Sequence, residues 1–186
     1  AGIIVPWTIW KQSGDKATVE ENWTAMEKYM DHINATKYDH SAHIAENYNY
    51  QWADWLSYEP LESSGGGAFH IGPNGRGPRP EALEYWNYLG ASYWMTDAGM
   101  MRDMAVATGR DVRKYEVMQD QARQYLKERF LTSDGLFKTA ILNTMQTPAL
   151  FALKNGLLEG QAKADMISRL RENFREKILI EKKKKN

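Results

Sequence analysis

The sequence has no cysteine in its 186 residues. That removes disulfides, thiolate metal sites and cysteine nucleophiles together. It assigns no compartment, because many exported proteins also lack cysteine, so periplasmic, extracellular and cytoplasmic placements all stay open. No apolar run approaches the ~20 residues of a membrane-spanning helix, so no membrane span is expected. An excess of charge is missing too: 24 Lys+Arg face 24 Asp+Glu. Four of the positive charges form the run Lys182–Lys185, which reads as a solvated tail or an exposed helix end. The rest of the chain is slightly acidic, which argues against a nucleic-acid partner. Zinc, P-loop and dinucleotide signatures are absent. There are four histidines, His32, His40, His43 and His70. His40 and His43 are close neighbours, but no third ligand follows at suitable spacing. The expectation is no metal and no other cofactor.

What is present is apolar and helical. The composition is 42% hydrophobic and 12% aromatic, enough for a substantial core. In "TVEENWTAMEKYMDHI", Val19, Trp23, Met26, Met30 and Ile33 recur at helical spacing and define one face. Pro6 suits the first turn of a preceding helix, and Ser13–Asp15 reads as its stop, so the first two helices form a tight hairpin. Pro80 begins a long helical segment in which Tyr93, Ala98, Met101, Met104 and Ala105 are expected to form a buried stripe, with Gly109 as its terminator. Tyr115, Met118, Ala122 and Leu126 share a face of the next helix, which "TSDG" closes. Pro148 and Gly156 bracket a shorter one, and Ile167, Leu170, Phe174 and Ile178 stitch the last. The expectation is an all-α fold of about six helices in consecutive pairs. No fixed repeat period supports a tetratricopeptide-type array. Helical hairpins of varied length, forming part of an α/α toroid, fit better. Tryptophans 7, 10, 23, 86 and 94 read as core.

Residues 36–80 break the pattern and read as one long irregular loop, rich in glycine and proline. It holds "YQWADWLSYEP", where Trp52 and Trp55 flank Asp54. Glu46, Glu59 and Glu62 lie near by. Hydrolysis of a glycosidic bond needs two carboxylates, one protonating the leaving oxygen and one acting on the other face of the sugar. Indole rings beside them would pack against the C–H face of a sugar. Taken from composition alone, the simpler reading is that the two tryptophans anchor the loop and Asp54 caps a turn.

Five segments, taken in order, resemble a known family. "AGIIVPWTIWKQSGD", "MEKYMDHI", "ADWLS", "ASYWMTDAGMMRDMAVATGRD" and "MQTPALFALKNGLL" are similar to the catalytic domain of bacterial α-L-rhamnosidases, glycoside hydrolase family 78. The resemblance runs over roughly residues 1–175. It implies an (α/α)6 toroid, inverting hydrolysis of terminal α-L-rhamnosyl residues and no metal. The family places its general acid upstream of the "VPW" helix and its general base in a T-x-W-E segment downstream. No Trp-Glu dipeptide occurs in this sequence. Residues 1–186 are therefore expected to be an internal, partial catalytic domain that is inactive by itself. Its partners would be the rest of that domain and a rhamnose-containing glycan or glycoside. "ADWL" matches the family's G-D-W-L with Ala53 in place of glycine, which makes Asp54 and Trp55 the leading substrate-binding candidates, with Trp52 behind them. Tyr93 falls on the family's A-Y position. Gln146 falls in T-Q-T, where Met145 replaces the first threonine. A non-catalytic helical scaffold or glycan-binding module, and another (α/α)6 glycosidase family, are the alternatives. A slice of a toroid should leave an apolar flank open, whereas a self-contained module should bury it.

Overall fold

A computed structural model describes residues 2–39, 44–45 and 80–184. Within them lie seven helices and one two-stranded pairing. Helix α1 spans Ile4–Ser13, with Pro6 buried in its first turn, where a missing N–H costs nothing. Gly14 ends it at φ +75°, its N–H donating to Trp10 O at 2.8 Å. Asp15 Oδ1 accepts the Ala17 N–H at 2.9 Å and opens helix α2, Ala17–Thr36. The expected face of α2 is buried through Val19, Trp23, Met26 and Met30. Two-residue strands then pair antiparallel, β1 (Tyr38–Asp39) with β2 (Ile44–Ala45), which the helical periodicity gave no sign of. Most of the long irregular stretch expected over 36–80 lies outside the described residues.

Helix α3, Pro80–Thr108, is the centre of the structure. Between Tyr85 and Ala105 the one exposed side chain is Tyr93, at 41%. A helix covered on all sides is an interior element rather than a surface one. The expected stripe is thus buried at Ala98, Met101, Met104 and Ala105 but not at Tyr93. Five residues separate Tyr93 from Ala98, so the two do not share a helix face.

Gly109 closes α3 at φ +70°, with Arg110 N–H on Ala105 O at 2.8 Å and Gly109 N–H on Val106 O at 3.3 Å. This pairing satisfies two carbonyls that the helix end would otherwise strand. Asp111 Oδ1 then accepts the Arg113 N–H at 3.0 Å at the start of α4, Arg113–Phe130. Helix α4 lies along α3, burying Tyr115, Met118, Ala122, Tyr125, Leu126 and Phe130. A Cβ at Gly99 would fall 2.6 Å from Gln119 Nε2, so the end of that flexible side chain would have to shift.

The chain next forms a short α5, Ala140–Thr144, and breaks at an extended Met145 before α6, Gln146–Lys154. Asn143 holds the preceding turn, donating to Phe137 O at 2.6 Å and accepting from Phe137 N–H at 3.2 Å. Gly156 ends α6 in the same manner as Gly109 ends α3, with Leu157 N–H on Ala152 O at 2.9 Å. Helix α7 spans Gly160–Lys184. The described helices thus make three packed pairs, α1–α2, α3–α4 and α6–α7, and α3 touches both α1 and α6. Trp23, Trp86 and Trp94 are buried as expected, while Trp7 and Trp10 are partly buried against the core.

Candidate functional site

Of the residues that the sequence singled out, Trp52, Asp54 and Trp55 lie outside the described residues, as do Glu46, Glu59 and Glu62 and the histidines 40, 43 and 70. Tyr93 and Gln146 are described. Tyr93 stands edge-on to Phe151 of α6, with ring centroids 4.9 Å apart at 66°. Gln146 is half-buried and begins that same helix. The structure therefore sets Tyr93 against the helix that Gln146 opens, rather than on a separate flank.

Three polar contacts fix α6 against α3. The Tyr88 hydroxyl donates to Pro148 O at 2.7 Å, Asn155 Nδ2 donates to Ser92 O at 3.1 Å, and Thr96 Oγ1 lies 2.9 Å from Asn155 Oδ1. Residues 88 and 92–96 of α3 thus meet 148 and 155 of α6, so the two helices run in the same direction. Burial raises the Tyr88 phenol well above its ordinary pKa. It is a hydrogen-bond donor and not an acid–base group.

One residue that the sequence reading passed over stands out. Asp97, one helical turn beyond Tyr93, is 8% exposed, and its Oδ1 has no hydrogen-bond partner among the described residues. Burial lifts its carboxyl to about 6, and nearby positive charge, Lys154 included, offsets this only in part. Asp97 in turn adds to the effect of burial in raising the pKa of Tyr29 on α2. A sequence signal existed: Asp97 is the one carboxylate between Glu84 and Asp103, in an otherwise apolar stretch. The other carboxylates of this region are engaged. Glu84 pairs with Arg129 through both oxygens, at 3.1 and 2.7 Å, and Asp103 accepts from Arg102 at 2.8 Å. Glycoside hydrolysis uses a pair of carboxylates flanking the scissile bond, and Asp97 is a single one. Among the described residues no group of three His, Asp or Glu side chains could hold a metal ion, and no helix is long and apolar enough to cross a membrane.

Two surface hollows flank the turn between α4 and α5, but neither touches Tyr93, Asp97 or Gln146. One of about 260 Å³ is lined by apolar side chains such as Met145 and Met166, with Arg169. The other, about 380 Å³, lies between the end of α4 and the start of α7.

Comparison with known proteins decides the family. The family described as bacterial alpha-L-rhamnosidase 6 hairpin glycosidase domain matches residues 1–180. The chain belongs to that family. Its helical hairpins form part of an (α/α)6 toroid, and the three packed pairs are successive hairpins of it. An alpha-L-rhamnosidase of Formosa agariphila is 25% identical over 175 residues, a stretch that is 93% of this chain and 16% of that protein. The crystal structure of Streptomyces avermitilis alpha-L-rhamnosidase complexed with L-rhamnose superposes with a TM-score of 0.68 over 95% of this chain and 14% of that one. At 16% identity this second likeness is one of fold. The chain spans under one fifth of the length of either relative.

Proposed function

We propose that this chain is a partial catalytic domain of an inverting glycoside hydrolase that removes terminal α-L-rhamnose from glycans or glycosides. The observation that carries the reading is the family match over residues 1–180, which spans all five segments of the sequence resemblance. Within such an enzyme the segment supplies part of the sugar-facing wall. Asp54 and Trp55 are the principal sugar contacts, Trp52 a further one, and Tyr93 and Gln146 line the wall where α3 meets α6. The acid and base come from elsewhere in the domain, so residues 1–186 alone do not turn over substrate.

The remaining hairpins of the domain are the proposed partner. Apolar side chains are exposed on the first helix of each pair, Val5 and Ile9 of α1, Tyr93 and Val106 of α3 and Leu150 of α6, and also at Tyr29 of α2 and Val117 of α4. The test is an aryl α-L-rhamnoside assay of the isolated chain and of the enzyme chain that contains it. The expected result is no turnover by the isolated chain and turnover by the longer one. In the longer chain, Asp54→Ala lowers kcat/KM by a factor worth at least ~2 kcal/mol if the carboxylate bonds a sugar hydroxyl. Turnover by residues 1–186, or an unchanged kcat/KM in a folded Asp54→Ala enzyme, overturns the corresponding part.

A further inference from the structure

Asp97 is a buried carboxylate whose Oδ1 has no hydrogen-bond partner among the described residues. Buried polar groups are almost always paired, and one that is not points to a missing partner. Positions 93 and 97 are one turn apart and share a helix face. That is the face on which α3's cover of neighbouring side chains opens, with Tyr93 at 41% exposure. Two other elements reach the same place. The charge of Asp97 helps raise the pKa of Tyr29 of α2, 49% exposed, and the chain's N-terminus and then Lys154 of α6 act to lower that of Asp97. Lys154 makes no salt bridge to Asp97; its Nζ lies 5.8 Å from the centre of the Phe151 ring, and that ring meets Tyr93.

The missing partner can be a cation from another part of the domain or a neutral donor. Two positive charges, the chain's N-terminus and Lys154, already act on Asp97 without pairing with its Oδ1, and a further buried cation would add its own cost of burial. A neutral hydroxyl has no charge to bury. The surroundings are also those of a sugar site: an acceptor one turn, about 5–6 Å, from an exposed aromatic face, with further phenol and ammonium donors around it.

We propose that Asp97 is a sugar-binding residue, its carboxylate accepting a hydroxyl of a pyranose whose C–H face packs on Tyr93. Naming the sugar as rhamnose rests on the function proposed above; the pairing of acceptor and ring suits any neutral pyranose. Asp97 is thereby kept at a cost to stability, as binding groups often are.

The experiment measures aryl α-L-rhamnoside kinetics and thermal melting at pH 7.5 for the enzyme chain containing this segment, as wild type, Asp97→Asn and Tyr93→Ala. Binding of L-rhamnose and of its monodeoxy analogues is measured alongside by calorimetry. The expected result is that Asp97→Asn lowers kcat/KM or sugar affinity at least tenfold while its melting temperature stays level or rises. One monodeoxy sugar should bind wild type and Asp97→Asn equally, because it lacks the hydroxyl that Asp97 would hold. Tyr93→Ala should weaken all the sugars alike. A lower melting temperature with unchanged sugar affinity makes Asp97 the counter-charge of a buried cation and overturns the proposal. An equal loss of affinity for every deoxy sugar overturns it too. If no rhamnoside is hydrolysed or bound, the same panel run with other neutral pyranoses separates the two claims. Binding that depends on Asp97 then retains the site and rejects the rhamnosidase reading, and no binding by any sugar rejects the site.

Discussion

Asp97 and Asp111 stand on either side of the turn that closes α3, and the molecule treats them in opposite ways. Asp111 is exposed and accepts from Arg113 through both its backbone and side-chain N–H groups, which holds its carboxyl down at about 2. Asp97 lies inside the helix stack without a partner on Oδ1 among the described residues, and burial pushes it up to about 6. The first is a helix start doing what helix starts do. The second is held in the fold at the cost of burying a charge. A carboxylate held at such a cost is where a binding role is to be sought.

The contrast can be broken by mutation, and the largest effect belongs to Asp97. An acid whose folded pKa is raised gives stability that is full below its unfolded value, near 4, and lost as pH rises through the folded value, near 6. Asp97→Asn should therefore stabilise residues 1–186 at pH 8 by on the order of 2–3 kcal/mol in denaturant unfolding, with the gain gone at pH 4. A destabilised variant at pH 8 would mean that Asp97 is paired. Tyr88→Phe should move the other way and by less, because Tyr88 is buried with its hydroxyl matched to Pro148 O. Its loss should cost about 1 kcal/mol at any pH below 10, and no loss would show that this tie between α3 and α6 does not form. Asp111→Ala should give the smallest change. A lowered pKa contributes stability present above about 4 and lost as pH falls through about 2, so wild type and variant should converge in melting temperature near pH 2. A deficit that persists there would place the role of Asp111 in something other than its charge.

Much of the fold was legible because its punctuation is local. Pro6, Pro80 and Pro148 sit in first turns, and Gly14, Gly109 and Gly156 adopt the positive φ that ends a helix. Helices α2 and α4 bury one face each, so their periodicity carries a phase that sequence alone reveals. Helix α3 is covered nearly all round, so its pattern carries no phase, and sequence alone does not separate the exposed Tyr93 from the buried stripe. The break at Met145 was hidden as well, since "AILNTMQTPALF" reads as one helical stretch and only the extended backbone at Met145 divides it. Of the candidate site, Tyr93 and Gln146 came from family resemblance. Asp97 was missed because an isolated acid within a helix is ordinary until its burial is known.

The central claim is that α3 carries a buried carboxylate, one oxygen of which has no partner among the described residues, one turn from an exposed tyrosine, and a direct titration of the Asp97 carboxyl by carbon NMR tests it. A midpoint near 6 is the predicted result. A midpoint at or below about 4, the ordinary aspartate value, would show a paired or solvated group and contradict it.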